Sequence, residues 1–312
     1  GGFARVYGAT DDTGTRLAIK VVPKTTLRNQ KTKNKLFSEI KIHQSMVHKY
    51  IVRFLSCFED TANVYMVLEL CEQKSLMDML KRRRRLTEPE TRFFFRQIIE
   101  ATRYMHSQHV IHRDLKLGNV FLTSDMNVKI GDFGLAAMLQ DDDERKKTIC
   151  GTPNYIAPEI LFDVDNGHSY EVDVWSLGVI LYTMLFGRPP FQTKDVKEIY
   201  KKIREISYQF PRDIAACDEA KDLISALLNK NPLARPTLDE VLKHPFLRGG
   251  AIPLRMPLSA LYTVPTFEED QLEEIIPEER RPLAAITPAQ AVEDYFGRGG
   301  RGAPVLVARY TC

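Results

Sequence analysis

The chain has 312 residues, 44% of them hydrophobic and 27% charged, a globular composition long enough for two domains or one large one. A net charge of +3 excludes a strongly basic nucleic-acid footprint and a special affinity for anionic membranes. Five cysteines with no CxxC pair and no zinc spacing exclude a disulfide scaffold and suit a reducing compartment, and the longest apolar run, "SLGVILYTMLF", is too short to span a bilayer.

In chain order, the start offers a turn-prone stretch, "GGFARVY", with Gly1 and Gly2, a small residue at Ala4, and Val6. The absence of a methionine at position 1 reads as a fragment or a processed sequence. Strands are expected at Arg16–Val22, Val52–Glu59 and Asn63–Leu70, all rich in β-branched, aliphatic and aromatic residues. Leu36, Phe37 and Ile40 at helical spacing place a helix over Lys33–Met46. From Ser75 the pattern becomes helical. Thr87 and Glu90 form a capping box with Pro89 in the first turn, opening a helix that runs to Gln108. The stretch from Tyr170 is an apolar helix stopped by Gly187 and the prolines after it. Further helices fit Lys194–Glu205, Ala216–Asn229 and Leu238–Lys243. Past about residue 250 the periodicity fades, proline and acidic residues increase, and the sequence reads as linker and tail. A strand-rich lobe of about seventy residues is thus followed by a larger helical one, an α+β arrangement.

The chemistry concentrates in "VIHRDLKLGNVFL", where apolar ends bracket His112, Arg113, Asp114, Lys116 and Asn119. Asp114 can accept a proton from an attacking hydroxyl, Lys116 can neutralise a phosphate oxygen, and Asn119 is a neutral oxygen ligand for magnesium. Together they suit phosphoryl transfer, in which positioning and charge neutralisation do nearly all the work. "DFG" adds a metal carboxylate, Asp132, with Phe133 and Gly134. Lys20 on its strand can reach phosphates, and Glu39 on the following helix can hold it. "APE" (Ala157, Pro158, Glu159) closes the segment that begins at Asp132. Singly, Lys20 reads as a surface lysine, Glu39 as a solvated helix residue and the glycine pair as a turn. "HRDLKLGN" followed by "DFG" and "APE" is a specific combination.

In this order the motifs resemble the eukaryotic protein kinases over roughly residues 1–248. The resemblance implies a bilobal kinase fold: a small antiparallel sheet with one main helix over residues 1–70, lacking its first strand, and a mostly helical lobe over 71–248, with 249–312 as linker and tail. It implies ATP and magnesium, with Asn119 and Asp132 holding the metal. Lys116 and "GTPNY" (Gly151–Tyr155) are serine/threonine-type features, with Thr152 packing near Asp114 and Lys116. Longer strings, among them "GGFARVY", "LELCEQKSL", "RRLTEPE" and "GHSYEVDVWSLGVILYTML", look like the polo-like kinases. That resemblance implies Leu68 as gatekeeper, Glu69 and Cys71 as hinge residues meeting adenine, Phe121 beneath the purine, and Gly1, Ala4, Val6, Lys20 and Glu39 around the nucleotide. Leu68 and Phe121 read equally well as core packing, and Cys71 as an ordinary buried thiol.

Arg113 is a cation in need of a partner, and Thr148 follows Arg145, Lys146 and Lys147 between "DFG" and "APE". Phosphate on Thr148 could pair with Arg113 and order the segment, so activation by an upstream kinase is expected. The resemblance also pairs Glu159 with Arg235 and has Asp173 hold the catalytic-loop backbone. The basic run Lys81–Leu86 reads as an import signal, as a patch for acidic substrates, or as a solvated helix end. "RRPL" (Arg280–Leu283) falls where polo kinases carry a degron but reads more readily as linker; the Gly-Arg stretch near the end reads as an RNA-binding tail or an altered terminus. The resemblance further implies protein substrates phosphorylated on Ser or Thr in acidic context and mitotic roles in nucleus and cytoplasm, at centrosomes and spindles; a monomer with no nucleic-acid or membrane partner is expected. A non-catalytic kinase-like scaffold is the alternative, because the glycine loop looks truncated.

Overall fold

The computed structural model describes residues 4–273. Gly1, the Arg280–Leu283 stretch and the Gly-Arg tail lie outside the described residues.

Four antiparallel strands build the first lobe: β1 (Arg5–Thr10), β2 (Arg16–Pro23), β3 (Phe54–Glu59) and β4 (Asn63–Glu69), in the order β1-β2-β4-β3. Strand β1 was not foreseen, because "RVYGAT" is exposed along nearly its whole length and shows no apolar alternation. The register sets Lys20 of β2 between Val6 of β1 and Met66 of β4, and Ala18 opposite Leu68. Helix α1 (Gln30–Ser45) starts three residues before the apolar pattern does. The cause is a capping box: the Asn29 side chain accepts from the Thr32 amide at 2.9 Å. The helix buries Leu36, Glu39, Ile42 and His43 on its inner face.

The second lobe is helical, apart from two short antiparallel pairs. It contains α2 (Leu76–Arg83), α3 (Glu88–Ser107), α4 (Pro158–Phe162), α5 (Glu171–Phe186), α6 (Val196–Glu205), α7 (Asp218–Leu227), α8 (Leu238–Lys243) and α9 (Pro245–Arg248). Strand β5 (Val110–Ile111) pairs with β8 (Ala137–Met138), and β6 (Val120–Leu122) with β7 (Val128–Ile130). Helix α5 is the centre of the lobe. Every residue from Val172 to Phe186 is buried, as its all-round apolar sequence requires. It ends at Gly187, where φ is 78°, a left-handed cap that glycine adopts without a Cβ penalty. The β6–β7 hairpin carries the His112–Asn119 loop on one side and Asp132 on the other, so a short connection brings them together.

Residues 249–273, read from sequence as linker, pack on the helical lobe. Ile252, Met256, Ala260 and Leu261 are buried there, and Arg96 of α3 pairs with Glu273 at 2.6 Å. The strongest tie was hidden inside the basic run. Arg83 turns inward, with its side chain 2% exposed, against fully buried Glu90. Two guanidinium nitrogens meet the Glu90 carboxylate at 2.7 and 2.9 Å, and Arg83 also donates to the Ala260 carbonyl. Glu90 meanwhile completes the capping box of α3, accepting from the Thr87 amide and hydroxyl, each at 2.8 Å. One arginine of the run is therefore structural, and a second, Arg82, lies over the ring of Tyr262 at 5.1 Å.

Candidate active site

Lys20 and Glu39 form an ion pair across the cleft side of the small lobe. Asp132 Oδ1 lies 3.6 Å from the same ammonium. Burial alone would lower the pKa of Lys20, but the Glu39 carboxylate, with Asp132 behind it, raises it above the ordinary lysine value. The ammonium therefore stays charged. Burial pushes Asp132 upward, yet the Lys20 charge, then His112 and the Gly134 amide, hold it below the usual carboxylate range. Asp132 has φ of 63°, a backbone conformation uncommon outside glycine, which turns the carboxylate toward Lys20 while Phe133 points into the core. Phe133 is 1% exposed. Its ring sits 4.5 Å from His43 of α1 and 5.2 Å from His112, joining the two lobes behind the site.

The His112–Asn119 loop is held from below. Asp173 of α5, with no exposed surface, accepts from the amides of His112 and Arg113, both at 2.9 Å, and bonds His106 at 3.0 Å. Burial opposes ionisation of Asp173, but these partners keep its pKa below the ordinary value. His112 is buried and bonds the Gly131 carbonyl at 3.2 Å, and its Nδ1 accepts from the Asp114 amide at 3.3 Å. With the loop so fixed, Asp114 projects toward the cleft and gathers the donors around it. Lys116 Nζ lies 2.7 Å from Oδ2, and Thr152 Oγ1 donates to Oδ1 at 2.6 Å. Lys116 also donates to Thr152 at 2.8 Å, the neighbourhood expected for that threonine. Asn119 Nδ2 donates to the Asp114 carbonyl at 3.0 Å and to Oδ2 at 3.2 Å. These bonds orient the amide and leave Asn119 Oδ1 for another partner.

Leu68 is half-buried on β4 and packs against the small-lobe cluster of Val22, Leu36 and Met66, as does Ala4. Val6 is 64% exposed. Glu69 uses its amide on the Arg53 carbonyl at 3.0 Å. Its carboxylate accepts from the Arg53 amide at 3.0 Å and pairs with Lys129 at 2.9 Å. No described backbone hydrogen bond uses the amide or carbonyl of Cys71. The Cys71 thiol is pushed up to about 12 by burial, with the Glu69 charge adding to it, so it is not a reactive thiolate. Phe121 is half-buried on β6, and its ring would come within 3.0 Å of a Cβ at Gly131.

Arg113 adopts φ of 63° and donates from Nε to the Leu135 carbonyl at 2.7 Å. Thr148 is exposed. Glu159 and Arg235 form a buried bidentate pair, with distances of 2.6 and 2.7 Å. Sequence reasoning missed His43. It is 2% exposed, and its Nε2 lies 2.7 Å from the Val52 carbonyl. Burial pushes its pKa down to about 4, so its ring is neutral against Phe133. The only signal was a polar residue on the apolar stripe of α1, which periodicity alone does not flag.

Comparison with known proteins places this cleft in a class. The model described as Protein kinase domain matches residues 1–247, and the chain belongs to the protein kinase family. Within it, the similarity is to polo-like kinases. The chain is 53% identical over 280 residues to the cell cycle serine/threonine-protein kinase CDC5/MSD2 of Saccharomyces cerevisiae, covering 90% of this chain and 39% of that protein. It is 51% identical over 267 residues to the probable serine/threonine-protein kinase PLK of Dictyostelium discoideum, covering 85% and 27%. It is 47% identical over 293 residues to the serine/threonine-protein kinase PLK1 of Xenopus laevis, covering 93% and 48%. The chain thus spans less than half the length of these three relatives.

Proposed function

We propose that the chain is an ATP-dependent serine/threonine protein kinase of polo type. The observation that carries this reading is the set of side chains converging on one cleft: Lys20 held by Glu39, Asp132 beside Lys20, and Asp114 ringed by Lys116, Asn119 and Thr152. Asp114 orients the substrate hydroxyl and receives its proton as the oxygen forms a bond to the γ-phosphorus of ATP. The bond from that phosphorus to the β–γ bridging oxygen breaks, and the electron pair leaves with ADP. Lys116, whose ammonium lies between Asp114 and Thr152, is placed to offset charge on the phosphoryl oxygens. Lys20 holds the nucleotide phosphates and is itself kept charged and aimed by Glu39. Leu68, Glu69, Cys71 and Phe121 border the purine, Cys71 through its backbone groups, with Ala4 and Val6 covering the nucleotide from above.

Magnesium fits the donor set. Asn119 Oδ1 and the Asp132 carboxylate are hard oxygen ligands. Among the described residues no group of three or more His, Cys, Asp or Glu is arranged to hold a metal without help. A site of two protein oxygens completed by water and substrate phosphate is how magnesium is usually bound. The ion supplies charge neutralisation between the phosphates. The negative Asp132, held ionised by Lys20, is ready to receive it.

Thr148, exposed and preceded by three cations, is the proposed phosphorylation site, with Arg113 as the receiving cation and an upstream kinase as the donor. Substrates with acidic residues before the target Ser or Thr, and action in nucleus and cytoplasm at centrosome and spindle, follow from the polo resemblance, and the chain acts as a monomer. Among the described residues no helix is long and apolar enough to cross a membrane. The test is magnesium-dependent phosphorylation of casein by the chain, with Asp114→Asn as control. Loss of about 10²–10⁴ in turnover at unchanged melting temperature is expected. Equal turnover would return the chain to the scaffold reading.

A further inference from the structure

The segment between Asp132 and Glu159 is fastened to the body of the helical lobe just before Thr148. Lys146 and His168 form an isolated antiparallel bridge. The Lys146 amide donates to the His168 carbonyl at 2.9 Å, and the His168 amide donates back at 2.8 Å. One residue earlier, Arg145 Nη1 reaches both carboxylate oxygens of Glu171, at 2.9 and 3.1 Å. Gly167 makes the close approach possible. Its φ is 69°, and a Cβ there would lie 2.9 Å from both Arg145 Cβ and the Lys146 carbonyl oxygen.

The far side of this fastening reaches the catalytic machinery by bonds already in place. Glu171 is the first residue of α5, and its carbonyl accepts from Arg235 Nη1 at 2.7 Å. The same guanidinium holds Glu159. Two residues on, Asp173 grips the catalytic-loop backbone. One helical turn therefore gathers the segment before Thr148, the end of that segment at Glu159, and the loop that carries Asp114. An exposed Arg145–Glu171 pair alone would contribute little. Here it is accompanied by two backbone hydrogen bonds and a glycine with no room for a side chain.

We propose that residues 145–146 and 167–171 form a clasp, with Gly167 and Glu171 as positioning residues, that transmits phosphorylation of Thr148 to the catalytic loop through the first turn of α5. The coupling rests on the reading of Thr148 as the activating site. The test uses the full 312-residue chain and the variants Gly167→Ala and Glu171→Gln. Hydrogen exchange at the Lys146 and His168 amides is measured first; these amides are protected in the parent and faster in the variants. Casein phosphorylation is then measured before and after stoichiometric phosphorylation of Thr148. The variants keep the basal turnover and the KM for ATP, and their stimulation falls at least roughly fivefold, the lower end of ordinary allosteric couplings. Full stimulation in both variants overturns the proposal, as does an equal loss of basal and stimulated turnover. Unchanged exchange at Lys146 overturns the clasp itself. A parent that gains nothing from phosphate on Thr148 overturns the regulatory reading and the coupling with it, and the exchange data then still report whether the clasp forms.

Discussion

The two lobes hold their share of the site in different ways. The helical lobe fixes Asp114 and Asn119 on a loop whose amides are bonded to a fully buried carboxylate, over a continuous core centred on α5. Among the described residues the small lobe has its own buried cluster of Val22, Leu36 and Met66, Ile42 of α1 and Met46 just after it join the large core instead, and Lys20 is aimed by Glu39 of α1 with Asp132 beside it. The comparison teaches that the helical half is prefabricated, whereas the small-lobe half is adjustable. Local opening follows few buried apolar contacts, so motion in this molecule should begin at the sheet.

The contrast can be broken most forcefully at Arg235. Its guanidinium is buried against Glu159, so Arg235→Met strands a carboxylate in the core and should cost about 3–5 kcal/mol. Denaturant unfolding measures this, and an unchanged midpoint would mean that the helical lobe is less rigid than its bonding implies. Lys20→Met sharpens the other side. It should lower turnover by on the order of a hundredfold and cost less stability than Arg235→Met, because the Lys20–Glu39 pair is 17% and 10% exposed where the Arg235–Glu159 pair is 1% and 6%. A drop larger than that of Arg235→Met would instead show that the small lobe depends on the Lys20–Glu39 pair to fold.

A third test is a pH dependence shared by both lobes. His43 in the small lobe and His168 in the helical lobe are 2% and 3% exposed, and burial pushes each down to about 4. The unfolded chain takes up their protons near the ordinary value of 6.5, and the folded chain near 4. Between those values the unfolded state binds more protons, so stability falls as pH drops through the window, by up to about 1.4 kcal/mol per pH unit for each histidine. Melting temperatures from pH 7 to pH 4 check this, and His43→Phe should flatten the slope.

Much of the site was legible because its chemistry is contiguous. The stretch from His112 to Asn119 carries its own spacing, and the structure brings Lys20, Glu39 and Asp132 to the same cleft. The pairing of Glu159 with Arg235 and the grip of Asp173 also followed from the motifs. What was not legible depends on partners distant in sequence. Strand β1 has no apolar face to announce it, so only its hydrogen bonds to β2 define it. Arg83 sits in a run of five cations and is told apart from its neighbours only by Glu90 and by the Ala260 carbonyl, 177 residues away. The order of residues 249–273 follows from Ile252, Met256, Ala260 and Leu261 reaching a surface that the local sequence does not display.

Glu90 answers to two masters, the start of α3 and the guanidinium of Arg83, and the same guanidinium answers to a carbonyl far along the chain. Neither position can change alone without leaving a formal charge sealed away from solvent. Among descendants of this sequence the two should therefore mutate in concert, exchanged together for an uncharged couple. Such an exchange would free residues around Ala260 to drift, so the identity at position 83 serves as a marker for whether a relative keeps this wrapping.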